Sequence, residues 1–270
     1  MIRIVGVNKK FNPGSPDEVC ALGDINLEIR EHEFVTVIGT NGSGKSTLLN
    51  VIAGTVFPDS GDIEIDGKIM TRKRDYQRAK YISRVFQNPF MGTAPDMTIA
   101  ENLLMAMFRG KKRYPLISLN GKQKSFFRDQ LSQLDMQLEN RLDTVMKTLS
   151  GGQRQAIALL MAVIKTPGVL LLDEHTAALD PKSAAQVIRL TQKFVTGHSL
   201  TALMVTHSMK QAIELGNRTW MMHHGRIIDD IPEEEKKMLT TDDFLNKFED
   251  IRKQEKLTPG LIETLKNQYV

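Results

Sequence analysis

The segment around residue 40 has the residue types and the spacing of a phosphate-binding loop. It matches the pattern G-x-x-x-x-G-K-[ST] and consists of Gly39, Thr40, Asn41, Gly42, Ser43, Gly44, Lys45, Ser46 and Thr47. The strand-like run FVTVI precedes it and the helix-like run LLNVIA follows it, which is the order that such a loop requires. Glycines let successive backbone N–H groups surround an anion, and a helix N-terminus adds positive dipole. We therefore expect it to bind a nucleoside triphosphate, with Lys45 on the outer phosphates and Ser46 on Mg²⁺.

Two carboxylates follow an apolar run later in the chain. The run VLLL at 169–172 is typical of a buried strand, and it ends in Asp173 and Glu174. Ligands of open α/β sheets bind at the carboxyl ends of the strands. Because neighbouring residues at a strand end point in alternate directions, we assign Asp173 to the metal and Glu174 to the general base that polarises a water. A surface turn is the alternative.

A second candidate anion site opens the helix-like segment that begins near residue 151. After Leu149, the chain would present bare N–H groups and a hydroxyl from Ser150, Gly151, Gly152 and Gln153. One γ-phosphate does not require two such loops from one chain. The simplest interpretation is a two-fold dimer in which this segment closes over nucleotide held by the partner.

Short apolar or β-branched runs alternate with longer amphipathic stretches, which predicts an α/β fold. The predicted strands are 2–11, 25–29, 34–38, 63–65, 169–172, 200–205 and 220–222. The predicted helices are 46–53, 99–108, 123–134, 151–165, 182–195 and 209–215.

The same alternation predicts how the chain is divided. Residues 88–166 contain no convincing strand run and are predicted to form a helical subdomain that carries the second anion site. Residues 1–87 and 167–230 then form a nucleotide-binding α/β core, and residues 231–270 form a helical C-terminal extension.

The composition is that of a globular chain without a strong charge. Lys and Arg number 36 against 32 Asp and Glu, a net charge of +4, which is too small to indicate a nucleic-acid binder. A single cysteine, Cys20, fits a reducing compartment. The start MIRIVGV lacks the features of a signal peptide, and the longest uncharged stretch, 194–209, is too short to cross a membrane. We expect the chain to stay in the cytoplasm.

Taken in order, the phosphate loop, LSGGQ at 149–153 and LLLDE at 170–174 resemble the ATP-binding cassette (ABC) ATPases over nearly the whole chain. The resemblance implies a P-loop NTPase of the ABC type: a mixed β core with a RecA-like lobe, the inserted α-helical subdomain and a short helical tail. It implies ATP and Mg²⁺ as ligands and hydrolysis of ATP to ADP and phosphate. It also implies a head-to-tail homodimer that closes around two nucleotides.

Four further positions match residues that this family uses. Gln87, in VFQNP, matches the glutamine that senses Mg²⁺ and the attacking water, where the helical subdomain meets the membrane subunit. Asp180 matches the loop that crosses the dimer interface, and His207 matches the switch histidine that contacts the γ-phosphate. Phe11 matches the aromatic residue that stacks on adenine. The alternatives are a solvated turn, a helix cap, a structural histidine and a core phenylalanine, respectively.

Histidines occupy two unusual places. His175 follows Glu174 where ABC proteins commonly have proline. It either orients the Glu174 carboxylate or caps the turn, and we favour the cap. His223 and His224 precede Gly225 in a predicted hairpin turn, where exposed turn residues are expected rather than a metal pair.

The strings DEHTAALDPKS, VFQNPFMGTAPDMTIAEN and NQYV resemble a bacterial subfamily of uptake-type ABC ATPases. This resemblance implies a peripheral location at the cytoplasmic face of the membrane, with no direct contact to nucleic acid. The implied partners are a polytopic permease and, indirectly, a solute-binding lipoprotein, and the candidate solutes are aromatic amino acids such as tryptophan. The alternatives are the motor of an exporter and a soluble ABC protein that acts on ribosomes or DNA.

Overall fold

The computed structural model describes residues 1–111, 119–240, 242–244 and 246–247. The chain divides into two compact units, one formed by Met1–Arg72 with Leu203–Val270 and the other by Lys73–Ala202. The boundaries between these units differ from the predicted domain boundaries, which lie after residues 87, 166 and 230. The division into a core, a helical subdomain and a C-terminal extension stays a prediction.

The elements of the described residues alternate between strand and helix, which confirms the α/β fold class. The strands are β1 (Ile2–Phe11), β2 (Val19–Ile29), β3 (Phe34–Gly39), β4 (Ser60–Ile65), β5 (Lys68–Ile69), β6 (Ile82–Val85), β7 (Val169–Asp173), β8 (Thr201–Val205), β9 (Arg218–His223) and β10 (Arg226–Pro232). The α-helices are α1 (Lys45–Ala53), α2 (Asp75–Arg78), α3 (Ile99–Met107), α4 (Gly121–Ser132), α5 (Gly151–Val163), α6 (Pro181–Gly197), α7 (Met209–Glu214) and α8 (Glu233–Lys236).

Each strand and helix predicted from the sequence is present; β1 has the predicted bounds, and the others have shifted ends. The largest shift is in β2, which begins at Val19 instead of residue 25. The predicted ranges do not include β5, β6 or β10, although the residues just before Gln87, where β6 lies, have the character of a strand. The structure pairs Arg84 with a carboxylate, and a mostly buried arginine is compatible with a strand when it is paired.

The first unit contains two groups of neighbouring strands. One has the order β2-β1-β4-β5 with antiparallel neighbours, and Ile2 and Ile4 of β1 are buried while Arg3 is exposed, as expected for a sheet packed on one face. The other has the order β10-β9-β3-β8, with β3 and β9 parallel and β9 and β10 antiparallel. Because β3 is buried along its whole length, the end that leads into the phosphate loop is firmly held.

A buried cluster in the first unit connects the C-terminal part of the chain to β3. Its fully buried members are Ile38, Met209, Ala212, Met221, Ile231 and Phe244. The prediction of a helical extension from residue 231 was wrong at its start, because Ile231 and Pro232 complete β10. Helix α8 follows, residues 242–244 and 246–247 are helical, and 248–270 lie outside the described residues.

In the second unit, β6 and β7 lie parallel, with Ile82 opposite Val169 and Val85 opposite Leu172. Helix α5 is buried at almost every position from Gly152 to Val163. Between residues 88 and 166, the described part contains helices and an isolated β-bridge but no strand, as the sequence indicates. Among the described residues of the whole chain, no helix has the length and apolar character that crossing a membrane requires.

Replacing Phe244 by Ala tests whether the C-terminal part packs as described. Because the ring is fully buried, we expect the free energy of unfolding to fall by about 3–5 kcal/mol, measured by urea denaturation. The control is Met238→Ala, whose side chain is 83% exposed and should change stability by less than about 0.5 kcal/mol. Equal effects of the two substitutions would contradict the packing of Phe244.

Candidate functional site

The phosphate loop joins β3 to α1 in the first unit, and its glycines are required by close backbone contacts. Gly44 is the N-cap of α1 with φ +101°, and a Cβ there would lie 2.3 Å from the carbonyl oxygen of Ala21. A Cβ at Gly39 would lie 2.3 Å from the carbonyl oxygen of Met222. Real side chains do not tolerate such distances, so the loop can adopt this path only with glycine at both positions.

The polar groups of the loop fit an anion. The Nζ of Lys45, a buried residue, donates to the carbonyl oxygens of Gly39 at 2.6 Å and Thr40 at 3.0 Å. The hydroxyl of Ser43 is buried without a hydrogen-bond partner in the described structure, which is costly unless a ligand supplies one. Ser46 is exposed in the first turn of α1. The loop therefore offers an ammonium group, an unsatisfied hydroxyl and a helix N-terminus to a phosphate.

A turn from another part of the first unit supports the loop from behind. The amide of Gly225 donates to the carbonyl oxygen of Ser43 at 3.0 Å, and its own carbonyl accepts from the Gly23 amide at 2.9 Å. The Nδ1 of His223 lies 3.4 Å from the Thr40 hydroxyl. The expectation that His223 is an exposed turn residue was therefore wrong, since the ring is buried against the loop, whereas His224 is exposed.

Two more sequence-predicted residues lie in the first unit. Phe11 is at the end of β1 with its ring 38% exposed, and the Nζ of Lys9 lies 5.5 Å from the ring centroid. The alternative of a core phenylalanine is therefore wrong. His207 is half-buried between β8 and the N-cap Ser208 of α7.

The second unit brings together the candidate metal ligand, the candidate base and Gln87. Asp173 ends β7 and Glu174 follows it, while Gln87 is exposed just beyond the end of β6, the parallel neighbour of β7. Both strands run in the same direction, so these side chains follow the carboxyl ends of adjacent strands, where ligands of α/β sheets bind.

Sequence reasoning missed Arg84, the partner of Asp173. The guanidinium of Arg84 donates to Oδ2 of Asp173 at 2.5 Å, with both side chains mostly buried. It also lies 4.8 Å from the ring centroid of Phe86. A charged residue inside the strand ISRV is itself a signal, because buried arginines are nearly always paired.

Glu174 has an unusual backbone and a buried neighbour. Its φ is +44°, in a left-handed conformation that costs a non-glycine residue about 1–2 kcal/mol. His175 is 1% exposed, and its Nε2 lies 2.9 Å from the hydroxyl of Thr191 in α6. Burial lowers the pKa of His175 to about 4, so the ring is neutral at physiological pH.

The candidate second anion site is an N-terminal cap of α5. The hydroxyl of Ser150 accepts from the amide of Gln153, and the Gln153 side chain accepts from the amide of Ser150, both at 3.3 Å. A Cβ at Gly152 would lie 2.5 Å from the Ser183 hydroxyl, so the starts of α5 and α6 are in close contact.

Asp180 is the N-cap of α6, as the alternative interpretation of this residue predicted. Its Oδ1 accepts from the amide of Ser183 at 3.0 Å. The Ser183 hydroxyl and amide lower the pKa of the Asp180 carboxyl below its usual range. A cap does not conflict with a role at an interface, which stays a prediction.

A large groove lies wholly within the second unit. Its volume is about 910 Å³, and its walls include Tyr76, Phe86, Met91, Met105, Phe108 and Met161. The buried Arg154 stacks over Phe90, the chain neighbour of Met91, with 3.6 Å between the guanidinium carbon and the ring centroid. Phe90 and Met91 are 50% and 69% exposed. Exposed aromatic and methionine side chains around a concavity are typical of a surface that binds an apolar partner segment.

Comparisons with known proteins agree with this geometry. The family model described as ABC transporter matches residues 22–177. The chain is 43% identical over 251 residues to the tyrosine transport ATP-binding protein of Clostridioides difficile, covering 92% of this chain and 99% of that protein. It is 37% identical to a probable sulfate/thiosulfate import ATP-binding protein of Chlorella vulgaris, covering 84% and 89%.

Solved structures give the same result for the fold. A dimeric bacterial ABC transporter cassette superposes with a TM-score of 0.73 at 29% identity, covering 86% of this chain and 99% of that one. A dimeric cassette in a post-hydrolysis state with ADP and Pi gives a TM-score of 0.72 with the same identity and coverage.

The chain belongs to the ABC transporter family, which confirms the resemblance found in the sequence. It has the fold of an ABC ATPase cassette and is an ATP-binding and ATP-hydrolysing subunit of a transporter.

The neutral His175 ring predicts a specific pH dependence of stability. The pKa is about 4 in the folded chain against an ordinary value of 6.5, so the unfolded chain binds more protons between these values. The free energy of unfolding should therefore fall as the pH falls below 6.5, by about 2 kcal/mol at pH 5 from this residue. Urea denaturation from pH 8 to 4.5 should show a shallower decline for His175→Gln. Parallel curves for the two proteins would exclude a buried neutral ring.

Proposed function

We propose that this chain is the ATPase subunit of an importer that takes up an aromatic amino acid. The observation that carries the proposal is the similarity to the tyrosine transport ATP-binding protein, which extends over nearly the full length of both chains. Relatives named as import proteins for sulfate/thiosulfate and for spermidine/putrescine support the direction of transport. The motor of an exporter is the alternative, and it differs in the direction of solute flux.

The phosphate loop would hold the phosphates of ATP. Lys45 exchanges its two bonds to loop carbonyls for bonds to phosphate oxygens, and the buried Ser43 hydroxyl gains its partner. The exposed ring of Phe11 stacks on adenine. His207 contacts the γ-phosphate.

The donors assigned to Mg²⁺ fit that ion. Mg²⁺ takes hard oxygen ligands, commonly one or two from the protein with the rest from phosphate and water. The carboxylate of Asp173, the hydroxyl of Ser46 and the amide oxygen of Gln87 are donors of this kind. Arg84 engages Oδ2 of Asp173, so the second oxygen of that carboxylate is the one we assign to the metal's coordination shell. Bound Mg²⁺ supplies charge neutralisation for phosphoryl transfer.

Glu174 would be the general base. Its carboxylate accepts the proton of the attacking water, and Gln87 orients that water. The carbonyl oxygen of Phe86 accepts from Nε2 of Gln155 at 3.0 Å, which fixes the backbone just before Gln87 to α5. Ser150, Gly151, Gly152, Gln153 and Asp180 would act on the nucleotide of a second copy of the chain, in a head-to-tail homodimer. The dimeric cassettes with the same fold support this arrangement.

The groove in the second unit would receive a helix of a polytopic permease. Its aromatic and methionine side chains suit a partner segment that is itself apolar, and the exposed Met91 with the neighbouring Phe90 adds apolar surface. The chain would then sit on the cytoplasmic face of the membrane through its permease. A solute-binding lipoprotein would be an indirect partner, and nucleic acid would not be one.

Uptake in cells tests the proposal. In a strain that lacks this chain, the wild-type protein should restore uptake of labelled tyrosine or tryptophan, whereas Glu174→Gln should not. The variant leaves the phosphate loop intact, so its affinity for ATP should stay within about threefold while hydrolysis falls by about 10²- to 10⁴-fold. Labelled leucine is the control solute.

Unchanged influx with altered efflux would favour the exporter. Loss of leucine uptake together with the aromatic amino acids would contradict the proposed solute class. Rapid hydrolysis by Glu174→Gln would contradict the assignment of the base.

If the chain forms the proposed homodimer, a substitution at Ser150 should change cooperative ATP hydrolysis without changing ATP binding by the monomer. Replacing it by Arg places a large cation at the cap of α5, which should abolish cooperative ATP hydrolysis, measured as a fall of the Hill coefficient to about 1. ATP binding to the isolated monomer should be nearly unchanged, because the residue acts on the partner's nucleotide. Loss of binding in the monomer would place Ser150 at its own nucleotide instead.

A further inference from the structure

The turn that carries Glu174 is attached to α6 at both of its ends. At the far end, Asp180 caps the helix through the amide of Ser183. At the near end, His175 is buried and bonds to Thr191, about two turns beyond Ser183 in the same helix. Between them, the Ala177 amide donates to the carbonyl oxygen of Glu174 at 3.0 Å.

The attachment of this turn to α6 can stabilise the unfavourable backbone conformation of Glu174. The left-handed φ of Glu174 persists only if its surroundings hold it in place. A proline at position 175 would push the residue before it toward extended backbone, away from the conformation of Glu174. Histidine leaves this conformation open, and its side chain adds a hydrogen bond to a buried helix.

The polarity of this hydrogen bond follows from its neighbours. The hydroxyl of Thr191 donates to the carbonyl oxygen of Val187 at 2.9 Å. It therefore accepts from His175, which must carry its proton on Nε2. Thr191 is fully buried on the packed face of α6 together with Val187 and Leu190, so the acceptor belongs to a rigid element.

We propose that His175 and Thr191 are positioning residues for Glu174, with the imidazole-to-hydroxyl hydrogen bond holding the turn that aims the Glu174 carboxylate. The inference rests on the proposed function, in which Glu174 activates the water. It assigns His175 a role that acts through the backbone of the turn and through α6.

A matched pair of variants at Thr191 tests this role. Thr191→Val keeps the shape but removes the acceptor, and Thr191→Ser keeps the hydroxyl. We expect T191V to lower kcat about tenfold, with the affinity for ATP unchanged within about twofold, and T191S to retain wild-type kcat. Because T191V leaves a buried N–H without its acceptor, His175→Ala and the double variant H175A/T191V are measured beside it. The double variant should be no slower than H175A alone, since both changes break the same hydrogen bond.

The outcomes distinguish a failure of the positioning role from a failure of the proposed general-base role of Glu174. Wild-type kcat in T191V, equal losses in T191V and T191S, or multiplied losses in the double variant would each overturn the positioning role. A loss of ATP affinity that matches the loss of kcat would show a merely structural role and would overturn it too. Glu174→Gln is the reference: if it hydrolyses ATP normally, the assignment of Glu174 fails, whereas an inactive E174Q beside a fully active T191V refutes the positioning role alone.

Discussion

Close backbone contact around the phosphate loop is the constraint on which the first unit depends. At Gly39 and Gly44, the space for a side chain is taken by carbonyl groups of β9 and β2. The loop is thereby pressed against two other parts of the unit and is held there by the Gly225 amide. Because these contacts fix the loop, its backbone and the N-terminus of α1 are already in place for a phosphate, and only Lys45 must exchange its bonds to loop carbonyls.

In the second unit, the comparable constraint is the pairing of buried polar groups. Arg84 and Asp173 form an ion pair in a mostly buried setting, and His175 is neutral and bonded to Thr191. Removing one partner from such a pair is costly, because the other then stays buried without compensation. These pairs therefore define the orientation of the residues at the end of β7, including the carboxylates that we assign to metal and water.

Helix α6 connects several features of that unit. Its N-cap is Asp180, its first turn contacts Gly152 at the start of α5, and its middle accepts from His175. Helix α6 is thus one rigid element that holds the candidate dimer-interface residue Asp180, the LSGGQ segment and the turn of Glu174. A displacement of α6 would move all three together, which would link hydrolysis to closure of the proposed homodimer.

The sequence by itself determined the elements and the motifs. The phosphate loop, LSGGQ and the acidic strand end are short, contiguous patterns. Among the described residues, the hydrophobic periodicity located seven of the ten strands and six of the eight α-helices, because burial imposes it locally. The partners of these residues depended on the tertiary structure. Nothing near Asp173 in sequence indicates Arg84, and nothing near His175 indicates Thr191, because these contacts join distant segments. Burial of His223 against Thr40 and the strand at residues 231–232 were likewise fixed by packing. The physical reason is that side-chain pairing depends on which surfaces the fold brings into contact. Local propensity depends only on neighbouring residues and does not specify those contacts.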